Sequence, residues 1–258
     1  MDKFSKVTFI GFGLINSSLA HVFKLKSLAK ETTAFSRRKE TREKIKNLNI
    51  VDKVNDNIKE SVKDSDLIVL GVPVGAMESI VSEISPFLKS GSIVTDVGPA
   101  KKHLIDSLLP ILPSDVYFVP GHPIAGTEKS GPEAGFAELF NGRWCILTPN
   151  KNTSQEALEK VKFIWEQAGM QIATMDAEYH DRVLAITSHI PHLVAFSIVG
   201  TVTELEDQLK TEVIKYSAGG FRDFTRIAAS DPIMWRDVFL NNSEAVLEML
   251  GRFIEDLT

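Results

Sequence analysis

The sequence predicts an α/β fold in the first two thirds of the chain, followed by an all-helical domain. Short β-rich apolar runs alternate with amphipathic helical stretches from the N-terminus, and the strand signals stop after residue 175. This alternation is typical of βαβ units on a parallel sheet. The predicted strands are KVTFIG, TTAFS, SDLIVLGV, GSIVTDV, DVYFVPG, RWCILTP and MQIATM. We therefore expect two domains, residues 1–175 and 176–258.

The composition of the 258 residues is typical of soluble globular proteins, with 43% hydrophobic and 24% charged residues. The net charge of -5 argues against a nucleic-acid partner, because phosphate recognition needs clustered Lys and Arg in excess. The single cysteine, Cys145, cannot form an internal disulfide, which favours a reducing compartment. The N-terminus has no signal-peptide pattern, and no apolar run approaches the roughly 18 residues of a membrane span. We expect a cytoplasmic protein without a membrane partner.

Two glycines, Gly11 and Gly13, follow the first predicted strand and precede a helix. In a GxGxxG dinucleotide-binding turn these two glycines allow the tight turn and the close approach of the pyrophosphate. Asn16 stands at the third position, where glycine mainly permits close packing of helix on strand, and asparagine can also accept from helix N-terminal amides. We expect a Rossmann-type dinucleotide-binding domain with a slightly shifted helix. The predicted cofactor contacts are Gly11, Gly13, Leu14, Ile15, Val72 and Pro73.

The end of the second predicted strand bears on the choice of cofactor. NAD-binding domains normally place Asp or Glu here for the ribose 2′-hydroxyl, but this chain has Ser36, Arg37 and Arg38. A carboxylate would repel a 2′-phosphate, whereas hydroxyl and guanidinium groups can bind it. We therefore expect NADP to be favoured over NAD, unless these arginines only cap a surface turn.

A glycine-rich segment, VPGHPIAGTEKSGPEAGF, begins at Val119, at the carboxyl end of a predicted strand. Ligands bind at this edge of open α/β sheets. The segment contains two titratable side chains, His122 and Glu128. An imidazole, with an ordinary pKa of about 6.5, can take a proton from a hydroxyl group as hydride leaves the carbon beneath it. His122 is therefore the candidate catalytic base of a nicotinamide-dependent oxidoreductase.

Several motifs together resemble one enzyme family over essentially the whole chain. They are GLI after the paired glycines, DVGPAK, GHPIAGTEKSG, SHIPH and GGFRDFTRIAASDPIMW. The sequence resembles the prephenate and arogenate dehydrogenases (cyclohexadienyl dehydrogenases) of tyrosine biosynthesis. The resemblance implies oxidative decarboxylation of prephenate and/or arogenate with NAD(P)+ to 4-hydroxyphenylpyruvate and/or tyrosine. It also implies a homodimer formed through the helical domain, which in relatives generally continues with further C-terminal helices.

The resemblance also assigns roles to individual residues. His122 corresponds to the family's catalytic histidine, and Lys101 of DVGPAK is the second catalytic candidate. Arg226 corresponds to the main clamp for a substrate carboxylate, a task that suits a planar guanidinium. His192 would contact substrate, with His189 in a supporting role. The other substrate-site candidates are Glu128, Thr127, Arg222 and Asp223.

Two departures from the family pattern and several alternatives remain open. Pro99 replaces a serine whose hydroxyl orients substrate and nicotinamide in the family, and Thr127 is the neighbouring group that could compensate. Arg222, Asp223 and Glu128 form either an ionic gate or a plain surface network. His189 and His192 could be a metal pair, but no third ligand has suitable spacing and the chemistry needs no metal, so we expect none.

Two rival functions fit part of the same pattern. One is a β-hydroxyacid dehydrogenase or a reductase of the pyrroline-carboxylate type, which joins a dinucleotide domain to helices but lacks GHPIAGTEKSG. The other is a dinucleotide-binding regulatory protein that has lost catalysis, which Asn16 and Pro99 leave open.

Overall fold

The computed structural model describes residues 3–127 and 129–258. It consists of two compact units, one that ends at His180 and one that spans Asp181–Thr258. The first compact unit thus extends five residues beyond residue 175, where the strand pattern predicts the end of the first domain. Ala177 packs against a core cluster of the first unit, which places the residues just after the last strand in that unit.

A six-stranded parallel sheet forms the centre of the first unit. Its strands are β1 (Phe4–Ile10), β2 (Ala29–Phe35), β3 (Lys53–Asn55), β4 (Leu67–Leu70), β5 (Ile93–Asp96) and β6 (Tyr117–Val119). Their order across the sheet is β3-β2-β1-β4-β5-β6, and every neighbouring pair is parallel. The chain order reverses between β1 and β4, which is the topological switch point of a Rossmann-type sheet. The predicted fold class is thus confirmed.

Helices cover both faces of this sheet. They are α1 (Leu14–Lys26), α2 (Lys39–Leu48), α3 (Ile58–Val62), α4 (Val74–Ile84) and α5 (Lys102–Leu108). Successive side chains of a strand point to opposite faces. In β4, Leu67 and Val69 accordingly join one hydrophobic cluster with α1, whereas Ile68 and Leu70 join the other with α4. β4 is therefore apolar throughout rather than alternating, as expected for a strand buried on both faces of a parallel sheet.

A smaller three-stranded sheet carries the histidine segment. It consists of β7 (Gly121–Pro123), β8 (Trp144–Leu147) and β9 (Gln171–Thr174), with α6 (Gln155–Gln167) before the last strand. β7 is antiparallel to β8, and β8 is parallel to β9. The predicted run DVYFVPG therefore contains β6 and reaches only the first residue of β7, which belongs to the other sheet. Pro120 separates them, since proline lacks the N–H that would continue a ladder.

The second unit is built from helices, and all of its residues are described. Its elements are α7 (Ala177–Leu184, which begins in the first unit), α8 (Ile190–Thr203), α9 (Asp207–Tyr216), α10 (Gly219–Thr225), α11 (Pro232–Asn241) and α12 (Ser243–Leu257). A small core joins α8 and α12 through Ile190, Val246 and Met249. A π-helical turn, Ala185–His189, links α7 to α8 just before Pro191. The wider π turn accommodates the hydrogen bond that the proline cannot donate.

One helix in the described part of the chain, Ala177–Thr203, is long and apolar enough to cross a membrane by length and composition alone. The sequence predicts no continuous apolar run of this length, and polar residues such as Ser188 and His189 do interrupt this helix. Length and composition are weak evidence, since helices in the core of soluble proteins pass the same test. Only 28% of the apolar window is buried within the chain, so most of this surface is uncovered.

Asn16 joins the ends of β1 and β4 instead of capping α1. Its buried side-chain amide donates to the carbonyl oxygens of Gly11 (2.7 Å), Val69 (3.2 Å) and Ile10 (3.3 Å). The expectation that Asn16 accepts from helix amides is wrong, because the side chain is turned toward these strand carbonyls. Gly71 makes room for it, since a Cβ at residue 71 would lie 2.4 Å from the Asn16 Nδ2 atom.

We predict that Asn16→Ala lowers the free energy of unfolding by about 1–3 kcal/mol, because the variant removes the donor shared by these buried carbonyls. Urea unfolding measures the change. Asn47→Ala is the matched control, since Asn47 is an exposed residue of α2 and its loss should change stability by less than about 0.5 kcal/mol. Equal stabilities of the two variants would contradict the structural role of Asn16.

Candidate active site

The turn between β1 and α1 has the geometry of a dinucleotide-binding loop. Gly11 has a φ of +78°, and a Cβ there would lie 2.5 Å from Val72 Cγ1 and 2.7 Å from the Gly71 carbonyl oxygen. Gly13 is the N-cap of α1 and supplies no side-chain cap, so the first amides of the helix face an open space. Apart from its chain neighbours and the backbone of its own helix, no atom of the described residues lies within 4 Å of a Cβ placed on Gly13. A helix N-terminus with this clearance suits a pyrophosphate.

The other predicted cofactor contacts lie along the same carboxyl edge of the sheet. Leu14 and Ile15 are half-buried residues in the first turn of α1. Val72 follows β4, and Pro73 is the N-cap of α4. Parallel strands bring their carboxyl ends to one edge, so these residues flank the switch point between β1 and β4. Their contacts with a bound dinucleotide stay a prediction.

Three arginines lie near Ser36, two in the loop after β2 and one, Arg42, in α2. Arg37 and Arg38 are exposed, and Arg37 makes a loose ion pair with Glu83 at 3.8 Å. Arg42 donates from Nη1 to the carbonyl oxygens of Ser36 (2.9 Å) and Arg37 (2.8 Å). Arg42 therefore holds the loop in place. This contact was missed from the sequence, because Arg42 is one of several charged residues in α2.

A buried ion pair lies at the carboxyl end of β5. Lys101 Nζ hydrogen bonds to Asp96 Oδ2 and donates to the Gly121 carbonyl oxygen at 2.8 Å. The carboxylate of Asp96 also accepts from the backbone N–H groups of Gly98 (2.7 Å) and Gly121 (3.2 Å). Both side chains are 0% exposed. The pair therefore fixes the backbone of Gly121, the residue before His122.

The catalytic role of Lys101 stays a prediction. The described contacts of its ammonium are with protein groups, and its burial favours a positioning role. Asp96 was missed from the sequence. The sequence offers one indication of its role: Asp96 ends the apolar run SIVTD, and a carboxylate at the end of a buried strand needs a partner.

His122 lies on β7 and is paired with a second histidine. His122 Nδ1 and His180 Nε2 are 2.9 Å apart, and the two rings meet nearly edge to face, with centroids 5.2 Å apart and an interplanar angle of 67°. His122 is half-buried, whereas His180 is 0% exposed. His180 lies in the first turn of α7. It was missed from the sequence, because it is one of several polar residues in the helical run AEYHDRVL.

Cys145 lies on β8, next to the strand of His122. Burial is the main reason that the pKa of its thiol is raised well above the usual range, against smaller opposing effects from Lys101 and a hydrogen bond with the His122 backbone. A thiol that stays protonated is a poor nucleophile. Cys145 therefore acts as a small core residue and not as a catalytic group.

The far end of the glycine-rich segment is anchored on the dinucleotide-binding helix. Ser17 Oγ donates to the Pro132 carbonyl oxygen at 2.6 Å, and the Phe136 N–H donates to Ser18 Oγ at 3.1 Å. A Cβ at Gly135 would lie 2.4 Å from Ser17 Oγ, so glycine is required for this close approach. The segment that starts at His122 thus returns to α1.

The glycine-rich segment contains two further predicted site residues, Thr127 and Glu128. Thr127 is exposed, and its hydroxyl accepts from the Lys129 N–H at 3.2 Å, which forms a local turn. Glu128 lies outside the described residues. Their contacts with substrate stay predictions, as does the compensation for Pro99.

The second unit holds a cluster of two histidines and a tryptophan. His192 stacks on Trp235 with ring centroids 3.6 Å apart, and its Nδ1 donates to the Ser188 carbonyl oxygen at 2.8 Å. Burial lowers the pKa of His192, and the bond to Ser188 opposes this shift. His189 is 0% exposed and accepts at Nδ1 from Asn242 at 3.0 Å. The supporting role of His189 and the substrate contact of His192 stay predictions.

The three charged candidates of the glycine turn are exposed. Arg222 and Asp223 belong to α10, and Arg226 begins the 3-10 turn that follows and packs near α8. Within residues 3–127 and 129–258, no ion pair involves any of these three side chains. The carboxylate clamp and the ionic gate stay predictions. The same residues contain no group of three His, Cys, Asp or Glu that could hold a metal ion.

The parallel sheet, the glycine turn and the histidine beside the sheet edge define a dinucleotide-dependent oxidoreductase. Residues 19–174 match the family model for the nucleotide-binding domain of prephenate dehydrogenase, and residues 176–258 match that for its dimerization domain. The chain belongs to the prephenate dehydrogenase family.

Individual relatives agree with this assignment. Cyclohexadienyl dehydrogenase of Zymomonas mobilis is 42% identical over 100% of this chain and 87% of its own length. Prephenate dehydrogenase of Bacillus subtilis is 34% identical over 96% of this chain and 67% of its own. The crystal structure of Aquifex aeolicus prephenate dehydrogenase with hydroxyphenyl propionate and NAD+ has a TM-score of 0.91 at 37% identity, covering 98% of this chain and 88% of that one.

We predict that Gly13→Ala weakens NAD(P) binding about tenfold or more, on the order of 1.4 kcal/mol, without loss of stability. The backbone conformation at residue 13 suits alanine, and the methyl group would occupy the space through which the pyrophosphate approaches. Cofactor titration followed by fluorescence gives the Kd, and thermal unfolding gives the stability. Gly251→Ala, in α12 with open space around it, should leave the Kd unchanged. Wild-type affinity in Gly13→Ala would show that the pyrophosphate does not approach this residue.

Proposed function

We propose that this protein catalyses the NAD(P)+-dependent oxidative decarboxylation of prephenate and/or arogenate, yielding 4-hydroxyphenylpyruvate and/or tyrosine. The observation that carries the proposal is His122 at the start of GHPIAGTEKSG, on a strand held beside the carboxyl edge of the dinucleotide sheet. Whole-chain similarity to cyclohexadienyl and prephenate dehydrogenases supports the same reaction. The same similarity does not favour a β-hydroxyacid dehydrogenase or an inactive regulatory protein.

His122 is proposed as the group that receives the proton of the substrate's ring hydroxyl. The nicotinamide, when bound, supplies the hydride acceptor. His122 Nδ1 lies 2.9 Å from His180 Nε2, and Nε2 of His122 is the ring nitrogen proposed to meet the hydroxyl. Loss of the ring carboxylate as CO2 then completes an aromatic ring, which makes the reaction irreversible.

The substrate carboxylates require cationic groups, and Arg226 is the proposed clamp. Its guanidinium is exposed and makes no ion pair with the part of the chain described. Planar guanidinium groups bind carboxylates through two parallel hydrogen bonds. His192 is proposed to contact substrate from Nε2, since its Nδ1 donates to the Ser188 carbonyl. Lys101 is proposed to act through Gly121, by holding the strand that carries His122.

We predict that wild-type protein forms NAD(P)H with prephenate, arogenate or both, and that His122→Asn lowers kcat by about 10²–10⁴-fold, the contribution of a general base. The KM for substrate should change little, because the interaction strengthens in the transition state. Assays of both substrates with both cofactors, followed at the nicotinamide absorbance, test this. His103→Asn, at an exposed residue of α5, is the control with wild-type kcat. No turnover by wild-type protein in any of the four combinations would overturn the proposed function.

NADP is the proposed preferred cofactor. The loop after β2 presents Ser36 where NAD-binding domains carry a carboxylate, and Arg37 and Arg38 are exposed beside it. Arg42 fixes the two backbone carbonyls of this loop, so the hydroxyl and guanidinium groups are pre-arranged. The Aquifex aeolicus relative contains NAD+, and this makes the preference a direct experimental question.

We predict that replacing both Arg37 and Arg38 with alanine lowers kcat/KM for NADP by about tenfold or more, with little effect on NAD. Each charge-assisted hydrogen bond to the 2′-phosphate contributes about 1.5–3 kcal/mol. Steady-state kinetics with both cofactors measure the ratio. Arg143→Ala, an exposed arginine beside β8, controls for the loss of surface charge. A strong NAD preference in wild-type protein that survives the double substitution would contradict the assignment.

A homodimer formed through the second unit is the proposed assembly. The match to a dimerization domain covers residues 176–258. Large apolar side chains of this unit are exposed, including Tyr216 (70%), Leu240 (66%) and Leu247 (66%). Exposed apolar surface of this extent is typical of an interface. Most of the apolar helix Ala177–Thr203 lies in this unit and is little buried within the chain, so we infer that a second copy covers it rather than lipid.

We predict that sedimentation velocity gives a particle of about twice the 28.6 kDa chain mass at micromolar concentration. Leu247→Glu should shift the equilibrium toward monomer if the exposed face of α12 lies in the interface. Leu25→Glu, at an equally exposed leucine of α1 in the first unit, should leave the dimer intact. A monomeric wild-type protein would overturn the proposed assembly.

The cytoplasm is the proposed compartment. The only cysteine is buried and has no partner cysteine in the sequence, which suits a reducing environment. The proposed reaction consumes an oxidised nicotinamide cofactor, as expected of a relative of cyclohexadienyl and prephenate dehydrogenases.

A further inference from the structure

The pairing of His122 with His180 raises the question of which ring nitrogen carries the proton. Their Nδ1 and Nε2 atoms are 2.9 Å apart, so one nitrogen must donate and the other accept. If His122 donates, the lone pair of its neutral ring lies on Nε2. If His180 donates, Nε2 of His122 carries a proton and cannot accept another. Only the first arrangement leaves His122 able to act as a base.

We propose that His180 is the positioning residue that holds His122 in its Nδ1–H tautomer and directs the His122 Nε2 lone pair toward the substrate hydroxyl. This inference rests on the proposed role of His122. His180 is fully buried, so it acts through His122 and not on the substrate. In the proton transfer, Nε2 of His122 gains the hydroxyl proton while its Nδ1–H continues to donate to His180, which stays neutral.

The position of His180 is set by the start of α7. Asp176 accepts from the N–H groups of Glu178 and Tyr179 at 2.9 and 3.1 Å, which fixes the first turn of the helix. The His180 N–H then donates to the Asp176 carbonyl oxygen at 2.9 Å. A side chain on a capped first turn has little freedom, so the acceptor nitrogen is held in place before substrate arrives.

Opposite the helix, the backbone of His122 is equally constrained. Gly121 is held on both its N–H and its carbonyl by Asp96 and Lys101, and β7 pairs with β8 through His122 and Ile146. The two rings therefore meet between a fixed strand and a fixed helix turn. The other titratable and charged groups on β5, β8, α7 and the turns next to them are Asp96, Lys101, Cys145, Asp176, Glu178, Tyr179, Asp181 and Arg182.

The tautomer can be measured without turnover. Long-range ¹H–¹⁵N spectra of uniformly labelled protein distinguish Nδ1–H from Nε2–H in each of the six histidines, and His122→Asn assigns the His122 signals. We expect wild-type His122 to carry its proton on Nδ1. His180→Leu removes the acceptor, whereas His180→Gln can place an amide oxygen near the former Nε2. His103→Leu, at an exposed histidine of α5, is the matched control.

His180→Leu should convert His122 to a tautomer mixture and lower kcat by about 10–100-fold, a part of what a general base contributes. Substrate KM and cofactor Kd should stay within about twofold, since no binding group is removed. The acid limb of the kcat profile should move to lower pH, because the charged His122 ring loses a hydrogen-bond acceptor. His180→Gln should restore kcat and the Nδ1–H signal, and His103→Leu should match wild type.

Wild-type His122 protonated on Nε2 would overturn the inference, as would equal kcat values and equal His122 spectra in His180→Leu and His180→Gln. If the leucine variant does not fold, His180→Asn takes its place, because the shorter amide cannot reach His122. The ring spectra decide the tautomer even if wild-type protein turns over neither substrate. That outcome would remove the proposed function and leave the structural part of the inference standing on its own measurement.

Discussion

The buried pair of Asp96 and Lys101 is the interaction on which the candidate active site depends. Asp96 ends β5, and Lys101 immediately precedes α5, so the pair first closes the loop between these two elements. Both groups then bond to the backbone of Gly121. Removing one member of a buried pair leaves an unpaired charge, at a cost of about 3–5 kcal/mol. Because the two buried charges must stay paired, their bonds to Gly121 hold the start of β7 in place.

The same segment is fixed a second time at its other end. Ser17 and Ser18 of α1 bond to the backbone of Pro132 and Phe136, on the helix whose N-terminus is the proposed pyrophosphate site. The catalytic candidate and the dinucleotide-binding helix are thus connected by one run of chain that is anchored at both ends. Hydride transfer needs the reacting groups held within a narrow range of geometry, and a doubly anchored segment meets that need.

Sequence reasoning predicted the parts of the fold that depend on local pattern. Seven strands were predicted because they are short, β-rich apolar runs. The helical second unit was predicted because such runs stop after residue 175. β3 and β7 were missed, since KVN and GHP are too short and polar to show a period. The glycine turn and His122 were predicted because their neighbours are unusual in sequence. Asp96 and His180 were not, because Gly121 and His122, the residues they hold, are distant in the chain and only folding brings them together. Arg42 was missed although its partners are five and six residues away, because nothing in a charged helix marks one arginine as a donor to loop carbonyls.

Asn16 shows how a departure from a motif can be absorbed by tertiary structure. The third glycine of the motif normally allows helix and strand to approach, and a larger side chain was expected to shift the helix. In the structure the amide instead bonds to the carbonyls at the ends of β1 and β4, and Gly71 supplies the missing space. The requirement for a small residue has moved from the helix to the neighbouring strand end. The phosphate-facing side of the turn, at Gly13, is left open.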